Sequence, residues 1–243
     1  MVGAAAAGLD AADGTVGSAK LPRRWGRLLD VPARYVEGAG DPAVTLELDG
    51  RTFTAGSAAT DAALGAHLDH PVRLTRVAPP DARLHRLLPD EPGLVPQWMA
   101  GIDPGTETVT PVAGARSGRF VDFGAVHLVT TGALAELADR IGRTEVSPDR
   151  FRPNLVLDAD RDPEPGARLR FGEVVLRVLV RTPRCVVPGL AQGTLPADRA
   201  LLATLARDYR TDLPDLGRAA CFGSYAEVLR PGRLRVGERA ASS

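Results

Sequence analysis

The chain has 243 residues, enough for one large domain or two modest ones; 44% are hydrophobic, as in ordinary globular proteins, and 5% aromatic, which is low. Thirty basic and thirty acidic side chains cancel, which excludes a global field that would recruit nucleic acid or an anionic membrane. Two cysteines, Cys185 and Cys221, make neither a disulfide framework nor a CxxC zinc pair, so a reducing cytoplasm is the expected compartment.

No window approaches the roughly 18 uninterrupted apolar residues that cross a bilayer. The opening MVGAAAAGLDAADG lacks the charged flank and apolar core of a secretory signal. Lys20 is the only lysine, so any Schiff-base chemistry would have to use it.

In chain order, residues 1–14 are Ala/Gly-rich and carry no periodic pattern. VTLELDGRTFT (44–54) reads as two strands with Asp49-Gly50 at the turn. SAATDAALGAHLDH (57–70) reads as a helix with Ala62, Leu64 and Leu68 inward and Thr60 or Asp61 as its cap. VRLTRV (72–77) alternates as a half-buried strand. Residues 78–118 are rich in Pro, Gly and Asp, with DARLHRLL as a short helical candidate. VHLVT (126–130) is a strand, and TGALAELADRIG a helix striped by Leu134, Leu137 and Ile141 and closed by Gly142. NLVLD (154–158) is a strand. VVLRVLVR (174–181) reads as one covered on both faces. LPADRALLATLARDYR (195–210) predicts a helix opened by Pro196, with Leu201, Leu202, Leu205 and Tyr209 inward. The last block predicts a strand, a Pro-Gly turn and a final short strand. Many strands, few helices and no regular βαβ alternation indicate an α+β, mainly β fold centred on an antiparallel barrel-like sheet.

There is no GxGxxG, phosphate loop, HExxH or GxSxG. The four histidines, His67, His70, His85 and His127, lack metal-ligand spacing and read as solvated or core residues. Cys185 stands apart. It follows Arg184 at the end of an apolar strand and precedes the turn at Pro188-Gly189. A neighbouring guanidinium favours thiolate, the form that attacks electrophiles and binds soft metals; the plainer reading is a small buried hydrophobe. Cys221, on an apolar strand without charged neighbours, reads as packing. In RFRPNLVLD (150–158), Arg152 can grip a phosphate or polar heterocycle with its planar fork and Asn154 offers a donor and an acceptor. A surface arginine and a turn asparagine would look the same. In HLVTTGAL (127–134), Thr130 and Thr131 precede a helix and make either an anion seat or a plain N-cap.

Taken in order, VHLVTTGALAELA, RFRPNLVLD, RTPRCVVPGL and FGSYAEVLRPGRLRVGE resemble the MOSC family, the C-terminal domain of molybdenum cofactor sulfurases. The resemblance covers about residues 118–240. Residues 9–77, through LDAADGTVGSAKLPRRWGRLL and AALGAHLDHPVRL, resemble part of the β-rich module that precedes such domains. The implied division is a partial N-terminal module at 1–77, a linker or excursion at 78–117 and the MOSC domain at 118–240. Full-length relatives open with a strand bearing Lys-Ser and a Gly-x-Asp-Arg turn; this chain starts about where that turn should end, so either a misassigned start or a shortened relative is expected.

The resemblance implies an antiparallel barrel-like fold and binding of a molybdenum cofactor (molybdopterin). In amidoxime-reducing-component-like members, the position of Cys185 ligates molybdenum through its thiolate; those of Arg152, Asn154, Thr130 and Thr131 lie by the cofactor, and Arg184 is placed with them. The implied activity is oxidoreduction of a small-molecule substrate, with electrons from a separate flavin or iron–sulfur reductase, because two cysteines cannot hold a cluster. Neither nucleic acid nor a membrane is an expected partner. A persulfide carrier using the same thiol, or a degenerate binding module, are the alternatives. Pyridoxal phosphate travels with the family through an associated desulfurase domain, and no lysine site for it is found here.

Overall fold

In the computed structural model, which describes residues 7–36, 43–112, 114–121 and 123–242, the chain divides into two compact units: Met1–Asp90, Ile102–Asp122 and Leu190–Asp198 form one, Glu91–Gly101, Phe123–Gly189 and Arg199–Ser243 the other. The alanines at 4–6 lie outside the described residues. Among these residues no helix is long and apolar enough to cross a membrane.

The first unit contains β1 (Ala7–Asp10), α1 (Pro22–Trp25), β2 (Ala33–Val36), β3 (Ala43–Leu48), β4 (Arg51–Thr54), α2 (Ala58–Leu68), β5 (Val72–Thr75), β6 (Arg83–Leu87) and β7 (Glu107–Pro111). β2, β3 and β4 form an antiparallel meander. Asp49 and Gly50 join β3 to β4 with φ of 48° and 72°, the two left-handed residues of a tight hairpin turn. Ser57, rather than Thr60 or Asp61, caps α2: its side chain accepts the Thr60 N–H at 3.1 Å. Leu64 and Leu68 turn inward with Leu21, Leu46, Leu48 and Val72 around the fully buried Trp25, while Ala62 is exposed.

The helical expectation for DARLHRLL is overturned. Leu84, Leu87 and Leu88 have helical spacing, but residues 83–87 are β6, paired antiparallel with β7 so that Leu84 faces Thr110. Leu84 is buried with Leu9, Val16, Val112 and Phe120. A partner strand from farther along the chain decides the conformation, and nothing local announces it.

The second unit contains β8 (Val126–Thr130), α3 (Thr131–Arg140), β9 (Leu155–Leu157), β10 (Arg168–Phe171), β11 (Val174–Pro183), α4 (Arg199–Asp208), β12 (Arg210–Leu213), β13 (Gly217–Arg230) and β14 (Ala241–Ser242). Their sheet runs β14-β10-β11-β13-β8-β9, with β12 also on β13. The fold is α+β and mainly β, built on this curled half-barrel. Register shifts between β11 and β13 at three places bend the two long strands. β8 and β9 are parallel, joined through α3, a βαβ crossover inside an otherwise antiparallel sheet.

β11 is not covered on both faces as its apolar run suggests. Val174, Leu176, Val178, Val180 and Thr182 are buried, Val175 and Leu179 only half so, and Arg177 is exposed. Its inward face packs with Leu128, Leu169, Phe171 and Ala226. On the other side of the sheet Val129 and Phe222 meet Leu134 and Leu137 of α3 and Leu201 and Leu205 of α4. Leu137, Leu201 and Leu205 are fully buried, each stabilising the fold by roughly 1.5–3 kcal/mol. Gly142, at φ 69°, ends the α3 region as read from the sequence. α4 begins at Arg199, so Pro196 belongs to the loop before it. The final strand is displaced too: β14 pairs with β10 at Ala241–Ser242, beyond the RLRV run.

Candidate functional site

The three stretches singled out in the sequence meet at one corner of the second unit, and His127 is where they meet. β8 opens there. The His127 N–H donates to Asn154 Oδ1 at 2.8 Å and the Asn154 N–H donates back to the His127 carbonyl at 2.7 Å. Asn154 thus continues the parallel β8–β9 pairing by one step with its side chain. Before it, residues 148–151 form a short 3-10 turn that ends on Arg152 in the left-handed conformation, φ 52°. That kink separates the buried Phe151 from the exposed Arg152.

Cys185 sits in the loop that leaves β11. Pro183 pairs with Cys221, and the ladder continues through the Arg184 N–H to the Ala220 carbonyl at 2.8 Å. The Arg184 side chain then runs into the corner. Its Nη1 donates to His127 Nε2 at 3.2 Å and to the Phe222 carbonyl at 3.5 Å, and Nη2 to the Phe151 carbonyl at 3.4 Å. The guanidinium lies over the Phe151 ring at 5.1 Å, and Phe151 stacks on Phe222 at 4.3 Å between centroids. Farther along the loop, the Pro188 carbonyl accepts from Nη1 of the buried Arg150 at 3.3 Å. The Cys185 loop and the 150–154 segment are therefore tied at two points.

Electrostatics follow from this packing. An arginine N–H only donates, so His127 Nε2 is an acceptor and the ring proton sits on Nδ1. Burial, and then the Arg184 charge, drive the His127 pKa from 6.5 down to about 3, against the pull of backbone groups of Arg152, Phe222 and Phe151. The ring is neutral. Arg152 is open to solvent, yet enough protein flanks it to hold its pKa below the usual arginine value, with Asp149 opposing.

The two cysteines divide sharply. Cys185 is a free, half-buried thiol. Cys221 is buried, its thiol points at the Ala219 carbonyl 3.6 Å away, and burial pushes its pKa up to about 12. It is inert packing, as its apolar strand suggests.

Thr130 and Thr131 stand at the start of α3. Thr130 is fully buried; its hydroxyl accepts the Ala133 N–H at 3.3 Å and donates to Asp162 Oδ1 at 2.9 Å. The Thr131 hydroxyl donates to Asp158 Oδ1 at 3.2 Å, and the Gly132 N–H to the Ala159 carbonyl at 2.9 Å. The Gly132 N–H is thus taken by the chain's own 158–162 loop and the Ala133 N–H by the Thr130 cap. Beside them a cleft of about 330 Å³ is walled by Asp162, Arg181, Tyr209, Phe222 and Gly223. Cys221, not Cys185, reaches its lining.

Two residues in this arrangement were not picked out by sequence reasoning. The sequence presents His127 as one of four core or solvated histidines, and it is a core histidine, but one that joins all three stretches. Asp162, in the Pro- and Asp-rich 158–165 loop, is the carboxylate that Thr130 holds. No spacing rule links either to its partners; β8–β9 pairing brings His127 to Asn154, and β13, lying between β8 and β11, brings it to Arg184.

No group of three or more His, Cys, Asp or Glu residues arranged to hold a metal ion occurs among the described residues. The donors that suit a molybdenum cofactor are of another kind. Cys185 is one soft thiol that the protein leaves half open, and Arg152 is an exposed planar cation of the type that would suit a phosphate. Arg184 Nε, buried and without a partner among the described residues, is a donor left over in the same corner.

No curated protein matches the chain. The family model described as the MOSC domain matches residues 115–241, slightly more than half the chain and inclusive of every residue of this corner. The chain belongs to the MOSC domain family.

Proposed function

We propose that this domain holds a molybdenum cofactor with Cys185 as its protein sulfur ligand, and that the chain acts as an oxidoreductase on a small molecule in the cytoplasm. The carrying observation is the contrast between the thiols: Cys185 is free and half-buried in a loop tied to the 150–154 segment, while Cys221 is buried on its strand with its pKa pushed up to about 12. When bound, the cofactor supplies two-electron redox chemistry at the metal. The chain supplies the soft thiolate of Cys185. Arg152 offers its exposed guanidinium to the pterin phosphate. Asn154, Thr130 and Thr131 contribute less directly, since Asn154 Oδ1 and both threonine hydroxyls already bond to protein. Arg184 acts through the loop it anchors. With two cysteines in the chain, electrons would come from a separate flavin or iron–sulfur reductase.

Metal analysis of the chain made in a cofactor-competent host tests the reading. The expected result is stoichiometric molybdenum in the wild type, its loss in Cys185→Ser and its weakening in Arg152→Glu. Full molybdenum content in Cys185→Ser would overturn ligation by that sulfur. A sulfur adduct on Cys185 by intact mass, with no molybdenum, would replace the reading with a persulfide carrier.

A further inference from the structure

Cys185 has no regular secondary structure of its own to place it. β11 ends at Pro183, and the next 3-10 turn starts at Val187. Val186 is buried and Arg150 holds the Pro188 carbonyl, and Arg184, next to the thiol, ties the stretch both to the sheet and to the corner. Pro183 cannot donate to the ladder, so the Arg184 N–H is the last backbone bond to β13. From the same residue the guanidinium reaches His127 at the start of β8, the Phe151 carbonyl before Arg152 and the Phe222 carbonyl of β13. His127 is held in turn by its reciprocal bonds to Asn154, and its ring lies 5.5 Å from that of Tyr225.

We propose that His127 and Arg184 form a half-buried clamp that positions Cys185, with Arg184 serving the thiol by fixing its loop and His127 serving Arg184 as the acceptor that keeps the guanidinium in place. This deepens, and rests on, the reading of Cys185 as the cofactor's sulfur ligand. A charge beside a thiol and a fork anchoring its loop predict different things. If Arg184 acted through its charge alone, lysine would replace it. If it acts through the fork, lysine fails, because one ammonium cannot reach an imidazole and two carbonyls on three elements. For His127 the acceptor must sit where Nε2 sits: glutamine carries its amide oxygen about that far from the backbone and asparagine stops short.

The test is the rate at which iodoacetamide alkylates Cys185 in the full chain, followed by peptide mass spectrometry with the buried Cys221 as internal reference. Rates are compared across His127→Gln, His127→Asn, Arg184→Lys and Arg184→Met, on preparations that melt cooperatively. Released from the clamp, the half-buried sulfur becomes more accessible. His127→Asn, Arg184→Lys and Arg184→Met should each raise the rate about fivefold or more, His127→Gln should stay within about twofold of wild type, and His127→Asn/Arg184→Lys should be no faster than either alone, because one clamp is broken once. Molybdenum content should fall in the variants whose thiol is released. Wild-type rates in Arg184→Lys, or in His127→Asn, would overturn the proposal. Should Arg184→Met fail to fold, the two milder variants still decide. Alkylation needs no metal, so a wild-type chain that takes up no molybdenum sinks the cofactor reading and leaves the clamp to be judged on the thiol rates alone.

Discussion

Thr130 Oγ1 donates to Asp162 Oδ1 at 2.9 Å while accepting the Ala133 N–H at 3.3 Å, so one buried hydroxyl both caps α3 and holds down the loop after β9. Asp162 is itself nearly buried, with Arg181 Nη1 3.4 Å from its other oxygen. Burial raises its pKa above 3.8; the Thr130 bond and the Arg181 charge pull it back. A raised carboxylate favours the fold below its ordinary pKa, and that contribution is lost as pH rises through the folded value. Thr130→Val should cost about 1 kcal/mol for the cap and about 1–3 kcal/mol for the carboxylate left short of a donor. The deficit should be larger at pH 7 than near pH 4, because only the ionised Asp162 misses the bond strongly. Thr130→Ser should recover most of it. Denaturant titrations at the two pH values check this, and an equal deficit at both would show that the cap alone matters.

Gly132 offers a test in which two effects have opposite signs. It is the second residue of α3, where alanine normally stabilises a helix over glycine by about 1 kcal/mol. Here a Cβ would stand 2.6 Å from Asp160 Cα, closer still to that residue's carbonyl, and both are backbone atoms that cannot swing aside. Close approach wins. Gly132→Ala should lower stability by roughly 2 kcal/mol or more, read as a fall in melting temperature; a rise would mean that the 158–160 segment is free to move away.

His127 fixes how the fold responds to mild acid. Its pKa is about 3 in the folded chain, against an ordinary 6.5. As pH falls from 6.5 the unfolded chain takes up this proton and the folded one does not, so stability is lost with falling pH, by at most about 1.4 kcal/mol per pH unit. The window from 6.5 to 5 lies above the ordinary carboxylate range, and the other three histidines are common to wild type and variant, so the difference between the two reports His127. His127→Gln cannot titrate and should flatten the slope in that window by about one proton's worth; an unchanged slope would place the responsible group elsewhere.

What the sequence disclosed and what it hid divide along a physical line. Signals written in neighbouring residues were legible: the Asp49-Gly50 turn, the α3 stripe of Leu134 and Leu137, the Gly142 stop. So were four motif stretches in order, which carried the family. Decisions made by distant partners were not. Leu84, Leu87 and Leu88 fit a helix until β7 pairs with them, and the parallel β8–β9 pair needs α3 to be recognised as a crossover. The same limit applies at the candidate site. Arg184 lies next to Cys185 in sequence, which suggested a charge acting on the thiol, whereas its guanidinium bonds to His127, 57 positions away. Adjacency along the chain says which residues are near, and only packing says which way a long side chain goes.

Asp10 makes the corresponding case in the first unit. Its carboxylate is almost wholly buried and accepts from His70 Nε2 at 2.8 Å, Arg24 Nη1 at 3.0 Å and the Ala12 N–H at 2.8 Å. The His70 ring stands edge-on to Trp25, 5.2 Å between centroids. Asp10→Asn keeps the shape but turns an amide N–H₂ toward one donor and strips the charge from the rest, at an expected cost of about 2–4 kcal/mol. Arg34 and Glu47 are the contrast: 3.5 Å apart with both side chains largely exposed, a pair whose loss should cost less than about 1 kcal/mol. Trp25 is fully buried and Trp98 half exposed, so the blue edge of the tryptophan emission should report on the first unit. Followed by that signal, the urea midpoint should drop markedly for Asp10→Asn and hardly move for Glu47→Gln, and high salt should leave the Asp10→Asn difference intact. Equal midpoints for the two variants would mean that Asp10 is held in place by the strand around it and contributes nothing of its own.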